Sequence, residues 1–264
     1  MKLAVTGSAG FIGSAFLWKL NKEGISDIFA VDVGQQAKDS PNIRGKSIAE
    51  YIERDKFLEL VKADKLDKNI DMIVHLGACA DTTETDIEYL EKNNYQYSVE
   101  LAKWALAKDK PLFYASSAAT YGAGDFGYSD AHELIPVFNP LNEYGRSKQK
   151  FDTWVFNEGI INNIVGFKFF NVYGPNEYHK QDMRSMINKG YHQIKQSGRL
   201  RLFKSYKPEY INGGQKRDFI YVKDALEIMW FFLQHPDKKG IFNVGTGKAH
   251  TWNELGNALF KALG

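Results

Sequence analysis

Tyr144 and Lys148 lie four positions apart in Tyr144-Gly145-Arg146-Ser147-Lys148. The pattern from residue 143 to about 158 predicts a helix, and positions i and i+4 of a helix share one face. The phenol and the ammonium can then point into one space. An isolated tyrosine titrates near ~10, and a neighbouring cation favours the phenolate. A phenol tuned in this way can take a proton from an alcohol while hydride leaves the carbon. The pentapeptide alone equally fits a surface pair, with the tyrosine packed and the lysine solvated.

A dinucleotide site must stand beside such a pair, and the N-terminus has its pattern. The apolar run from residue 2 to 6 predicts a buried strand, followed by Gly7-Ser8-Ala9-Gly10-Phe11-Ile12-Gly13 and a helix to about residue 23. In that context one glycine makes the tight turn, one admits a pyrophosphate and one lets helix and strand pack closely. The helix N-terminus offers unpaired N–H groups and the positive end of its dipole. Ile28-Phe29-Ala30-Val31-Asp32 predicts a second strand ending in the acid that bonds an adenosine ribose. Lys38, Arg44 and Arg54 follow it, cations that can hold a 2′-phosphate or be plain surface charge.

Further strands are predicted at residues 69–77, 112–115 and 164–169, with a long helix at 86–107 whose Tyr97, Leu101, Trp104 and Ala105 share a core face. Residues 124–141 read as a glycine- and proline-punctuated loop, and Asp224 reads as the opening or cap of a later helix. His75 reads as structural and Cys79 as a small packing residue. Alternating strands and helices predict an α/β fold, a doubly wound parallel sheet of Rossmann type. Its carboxyl edge binds ligands, and the strand ending near residue 115 delivers Ser116-Ser117-Ala118-Ala119-Thr120-Tyr121-Gly122 there. The expected division is a dinucleotide-binding domain at 1–170 and a smaller substrate lobe at 171–264, with parts near 215–250 returning to the main domain.

The 264 residues carry a net charge of +2, which makes no case for nucleic acid or an anionic membrane surface. A single cysteine rules out an internal disulfide and fits a reducing compartment. No signal peptide or membrane span is read, no metal site is assigned, and the expected location is the cytoplasm.

The G-x-x-G-x-x-G turn together with Tyr-x-x-x-Lys resembles the extended short-chain dehydrogenase/reductase, or NAD-dependent epimerase/dehydratase, family. Asn93-Asn94-Tyr95-Gln96-Tyr97-Ser98, the stretch 114–122, Phe170-Asn171-Val172-Tyr173-Gly174-Pro175 and Glu177-Tyr178-His179-Lys180 look like its ADP-heptose 6-epimerase branch, over residues 2 to about 260. The resemblance implies epimerisation at C6 of ADP-D-glycero-D-manno-heptose, for the lipopolysaccharide inner core of bacteria. It implies NADP rather than NAD as cofactor, and a homo-oligomer, a homopentamer in that branch. It places catalysis on Tyr144, Lys148, Ser117 and a second acid/base, Lys180. It places cofactor contacts on Gly7, Gly10, Phe11, Ile12 and Gly13, on Asp32, Val33, Lys38 and Arg54, and on Leu76, Gly77, Ala78, Cys79 and Ala80. Asn93, Lys148, Val172 and Lys180 complete that set. Substrate contacts fall on Ser117, Asn171, Asp182, Lys189, Phe203, Lys204, Ser205, Tyr206 and Arg217. A second base has a chemical reason. Hydride must return to the other face of the carbonyl, so the oxygen moves and one base cannot serve both positions.

Two features depart from the branch. Asp182 stands where a serine is usual, and the chain ends at Gly264, ahead of a further segment of the lobe, so an incomplete lobe is expected. Nucleotide-sugar 4-epimerases and 4,6-dehydratases share the scaffold, as do NADP-sensing regulators. Dehydratases carry an acid pair where this chain has Ala118-Ala119-Thr120, and the sensors lose the tyrosine or lysine that this chain keeps.

Overall fold

Alternate residues of the central strands go to opposite faces of one sheet. In β1 (Leu3–Thr6), Leu3 and Val5 join one apolar cluster and Ala4 the other. In β2 (Ile28–Asp32), Ile28 and Ala30 join the first, Phe29 and Val31 the second. A strand buried on both faces reads as an unbroken apolar run, which is why these strands were legible.

The computed structural model describes residues 1–66, 70–205, 208 and 211–264. The main sheet has the order β3-β2-β1-β4-β5-β6-β9, with β3 at Glu50–Glu53, β4 at Met72–His75, β5 at Leu112–Ser117, β6 at Val165–Phe169 and β9 at Gly240–Val244. Every pairing in it is parallel. On one face lie α1 (Phe11–Lys22) and α7 (Val222–Gln234), through Phe16, Leu20, Ala225 and Met229. On the other lie α2 (Arg54–Lys62), α4 (Tyr97–Ala107) and α5 (Glu143–Asn157), through Phe57, Leu101 and Phe151. The strand order reverses between β1 and β4, and the crevice at such a switch point is where open α/β sheets bind ligands.

A second sheet, β10-β8-β7, joins β7 (Asn171–Tyr173) in parallel and β10 (Ala249–Thr251) antiparallel to β8 (Lys216–Tyr221). Near it pack α6 (Met186–Ser197) and α8 (Trp252–Leu263), the latter opened by a Thr251/Glu254 capping box. Residues 240–244 run in the main sheet, far along the chain from its other strands.

Several sequence expectations change. The helix expected at 86–107 is three segments: α3 (Ile87–Leu90), a π-helical stretch over Glu91–Gln96, and α4. Consecutive residues of an α-helix face different sides, and the wider π turn lets both Asn93 and Asn94 be buried. The strand expected at 69–77 is confined to Met72–His75, and Asn69 lies outside the described residues. The loop at 124–141 holds a 3-10 turn at His132–Val137. Asp224 lies in the first turn of α7 and is not its cap; Tyr221 is the N-cap residue, without a side-chain bond. Asn171 leaves the main sheet after β6 and begins β7 of the second one.

Candidate active site

The glycine turn meets the next strand at contact distance. Gly7 has φ +68°, and a Cβ there would stand 2.6 Å from the backbone N of Gly77. A Cβ on Gly13 would stand 2.0 Å from the Gly7 carbonyl oxygen. The two residues thus let β1, the turn and the loop after β4 nest, leaving α1 to start at Phe11 with its first N–H groups open. Asp32, at the end of β2, accepts the Ala9 N–H at 2.7 Å and the Val33 N–H at 2.7 Å, which aims its carboxylate into the same crevice.

A cleft of about 290 Å³ results. Gly7, Gly10, Phe11, Ile12, Gly13, Asp32 and Val33 line one part, and Arg54, Leu76, Gly77, Ala78, Cys79, Ala80 and Asn93 another. Lys180 closes onto it with Nζ 5.6 Å from the centre of the Phe11 ring. These residues fit a nicotinamide dinucleotide: a glycine cradle that any side chain would fill, a helix N-terminus for the diphosphate and a carboxylate for a ribose. Three expected contacts are not in the lining. Lys148 is buried behind it, bonded to the Ala115 carbonyl. Lys38 is exposed on a 3-10 turn over Gln35–Asp39, and Val172 packs against the core. Tyr89, Tyr97 and His179 line the cleft without having been assigned to it. Tyr97 carried only a core signal, and it serves both purposes, stacked 5.5 Å from His75.

His75 is structural, as expected, and its partners are informative. The Ser98 hydroxyl donates to the Asn94 carbonyl at 2.6 Å, so it accepts from His75 Nε2–H at 2.9 Å. His75 Nδ1 then accepts from the Thr6 hydroxyl at 2.7 Å, and Thr6 Oγ1 accepts the Gly77 N–H at 3.1 Å. A neutral imidazole thus ties the π-helical turn to the glycine crossing. Burial first, and the Lys148 charge second, press its pKa down to about 3. Asn94 clamps both backbone groups of Cys79 at 2.8 and 3.0 Å and donates to Ser147 Oγ at 2.9 Å. The Cys79 thiol, half-buried, is pushed up by burial and stays protonated, consistent with a packing role.

Helix α5 is opened by Asn142, whose Oδ1 accepts the Gly145 N–H at 2.7 Å. That cap sets Tyr144 and Lys148 on the face turned to β5. Ser117, the last residue of β5, hydrogen-bonds the Tyr144 phenol. Lys148 is buried and donates to the Ala115 carbonyl at 2.9 Å. Tyr144 and Lys148 both lie near Cys79, which lines the cleft, although Ser117, Tyr144 and Lys148 are not themselves in its lining. One expectation is reversed here. Lys148 was to lower the phenol's pKa, yet burial raises it, and the Ser117 hydrogen bond pulls it back only in part. Lys148 itself is lowered by burial to about 8. Desolvation opposes both charges, and the ammonium bonds a carbonyl instead of the phenol.

Lys180 sits in a 3-10 stretch over Tyr178–Met183, with its pKa lowered, mainly by burial. Buried Glu177 anchors that loop by accepting from the Gly174 and Ser185 N–H groups and the Ser185 hydroxyl. Asn42 crosses to it, donating to the carbonyls of Ala9 at 3.0 Å and Asn176 at 3.2 Å. The expected substrate residues are spread around the second sheet. Asn171 begins β7, Asp182 is exposed beside Lys180, and Lys189 lies on α6. Phe203 is exposed and 5.3 Å from the Trp252 ring, and Lys204 is exposed. The Ser205 N–H bonds Asn212 Oδ1 at 2.8 Å. Arg217 is exposed on β8 with Nη1 on the Lys216 carbonyl at 2.7 Å. Tyr206 lies outside the described residues.

Comparison with known proteins agrees with this geometry. A curated protein of Nitratidesulfovibrio vulgaris named ADP-L-glycero-D-manno-heptose-6-epimerase is 51% identical, over 98% of this chain and 80% of its own length. One of the same name from Fusobacterium nucleatum is 45% identical, over 98% of this chain and 79% of its own length. The crystal structure of the Helicobacter pylori protein of that name superposes with a TM-score of 0.79 at 28% identity, covering 100% of this chain and 82% of that one. The sequence matches the NAD dependent epimerase/dehydratase family over residues 3–245, and with the glycine cradle, the Tyr–Lys helix and these relatives in agreement, the chain belongs to that family.

Proposed function

We propose that the protein epimerises ADP-D-glycero-D-manno-heptose at C6, giving the L-glycero sugar, by transient oxidation and reduction. The observation that carries this is a dinucleotide-shaped cleft lined by Lys180, with the Tyr144, Ser117 and Lys148 group next to its Cys79 wall, in a chain 51% identical to a protein of that name. A nicotinamide dinucleotide held by the glycine cradle, Asp32 and Arg54 would supply reversible hydride transfer at C6.

The chain's own residues handle the protons. Tyr144 takes the proton of the C6 hydroxyl, and Ser117 steadies the same oxygen by a hydrogen bond. Lys148, donating to the Ala115 carbonyl at 2.9 Å, anchors α5 to β5 beside that phenol. After the C5–C6 unit turns, the oxygen stands elsewhere, and Lys180 returns a proton there. Partial burial lowers the Lys180 pKa, which moves it toward the range useful for proton transfer at neutral pH. For the cofactor, NADP is the form we favour. Arg54 lines the cleft, where a guanidinium suits a phosphate, and it is already oriented by Asn93 Oδ1 at 2.6 Å and Asp55 at 2.9 Å.

Incubation with ADP-D-glycero-D-manno-heptose, followed by NMR of the C6 configuration, tests the reading. Conversion is expected, with a fall of about 10²–10⁴ in Tyr144→Phe while cofactor stays bound. An unchanged sugar with cofactor in place refutes it. Mass analysis of extracted cofactor is expected to give NADP; finding NAD alone removes the phosphate role from Arg54.

A further inference from the structure

Behind the reacting groups lies a buried ion pair that the proton transfers above do not use. Asp152 is 0% exposed and Lys168 is 1% exposed. Asp152 follows Tyr144 and Lys148 by two turns and one turn along α5, on their face. Its Oδ2 accepts from Lys168 Nζ at 2.6 Å and from Ser116 Oγ at 2.7 Å, and its Oδ1 accepts from the Tyr114 hydroxyl at 2.8 Å. Lys168, on β6, also donates to Thr120 Oγ1 at 2.7 Å, and Thr120 donates to the Ser117 carbonyl at 2.8 Å. The remaining side of the ammonium faces the rings of Tyr121 at 5.2 Å and Phe138 at 5.5 Å. One carboxylate therefore joins α5, β5 and β6, and its partner reaches the backbone of Ser117.

A buried pair of this kind seldom adds stability over apolar residues of the same size. Stability alone does not account for it. We propose that Asp152 and Lys168 are positioning residues of the active site: they lock α5 against the end of β5, so that the Ser117 hydroxyl and the Tyr144 phenol keep their distance, and they set a fixed negative charge beneath Lys148. The proposal rests on the acid/base reading of Tyr144 given above.

The charges around the trio make the test directional. Lys148 meets Asp152 on its own helix, Cys79 from the loop after β4, and His75 on β4. Tyr144 meets Ser117, Cys79 and Asp152. Asp152 meets Tyr114, Ser116 and Lys168, and Tyr121 beyond them is bonded to Asn243 and faces Asp130. Cys79 is protonated and His75 neutral at pH 7, so among the described residues Asp152 is the anion that Lys148 and Tyr144 both meet. It favours the ammonium and opposes the phenolate. Removing its charge lowers both pKa values.

Asp152→Asn keeps the shape and deletes the charge. Because it strands the Lys168 cation, Asp152→Asn/Lys168→Gln serves as the second variant, with no buried charge and hydrogen-bonding groups retained. In both, cofactor binding should persist and KM should change little, while kcat falls tenfold or more. Both limbs of the pH–kcat profile should move to lower pH by about one unit, the low end of the effect of a nearby opposite charge. The Tyr144 resonance, followed by NMR of ¹³Cζ-tyrosine without substrate, should move the same way. An unmoved Tyr144 titration in the double variant overturns the proposal, as does failure of both variants to fold, which would make the pair purely structural. Tyr144→Phe separates the two levels. If it abolishes turnover while the Asp152 variants leave the titration unmoved, only this inference fails. If Tyr144→Phe turns over normally, the acid/base reading fails first.

Discussion

Gly13→Ala places one methyl group where there is no room for it. The added Cβ would stand 2.0 Å from the Gly7 carbonyl oxygen, 2.7 Å from the Gly7 carbonyl carbon and 3.1 Å from Ser8 Cα. Real Cβ contacts stop near 3.0 Å, so about 1 Å must be found, and all three of these neighbours are backbone. No rotamer change relieves it. Either α1 withdraws from the sheet or the turn opens. Overpacking of this kind costs ~1–3 kcal/mol, and a chain of this size loses roughly 2–4 °C in Tm per kcal/mol, so a drop of about 2–12 °C is expected. The larger effect falls on the cofactor. The turn and the first N–H groups of α1 shift together, and losing one or two charge-assisted hydrogen bonds of ~1.5–3 kcal/mol each weakens dinucleotide binding by about 10- to 10⁴-fold. Gly10→Ala provides the graded comparison, because its Cβ would stand 3.1 Å from the same oxygen, which asks for a few tenths of an ångström. Calorimetric titration with NADP and thermal unfolding of the three proteins measure both effects. Wild-type affinity in Gly13→Ala, or a larger loss in Gly10→Ala, refutes the nesting argument.

Two further predictions concern pH and use groups whose folded pKa values lie below their ordinary ones. Lys148 falls from 10.5 to about 8, so the unfolded chain binds more protons between those values and stability rises with pH across that window. Lys148→Met should therefore raise stability at pH 7, by at most ~3 kcal/mol, while abolishing turnover, and its advantage should shrink as pH climbs from 8 to 10.5; denaturant titrations at several pH values check this, and a lower stability at pH 7 counts against it. His75 falls from 6.5 to about 3, so the unfolded chain takes up a proton that the native imidazole refuses, and stability is lost as pH drops from 6.5 toward 3. His75→Gln should show a shallower loss over that range in acid unfolding followed by circular dichroism, and an unchanged slope would mean that other groups govern it.

What the sequence alone determined are the features carried by short-range geometry. The doubly buried strands 3–6 and 28–32 announce themselves as apolar runs, and the glycine spacing of 7, 10 and 13 between strand and helix states the backbone approach it permits. Tyr144 and Lys148 are legible because helical spacing puts i and i+4 together whatever else surrounds them. The tertiary structure decided what depends on partners distant in the chain. Asp152 carries no signal of its own in the sequence; β5 and β6 bring Ser116 and Lys168, 36 and 16 positions away, onto its carboxylate. The neutral tautomer of His75 follows from Thr6, 69 positions earlier, and from Ser98 across a π turn that no periodicity announces. Even the direction of the Tyr144 shift was a tertiary matter. A cation four residues along the helix suggests a lowered phenol pKa, but burial is set by how the sheet edge and helix close on each other, and desolvation opposes every charge in the space they enclose, including that of Lys148 itself.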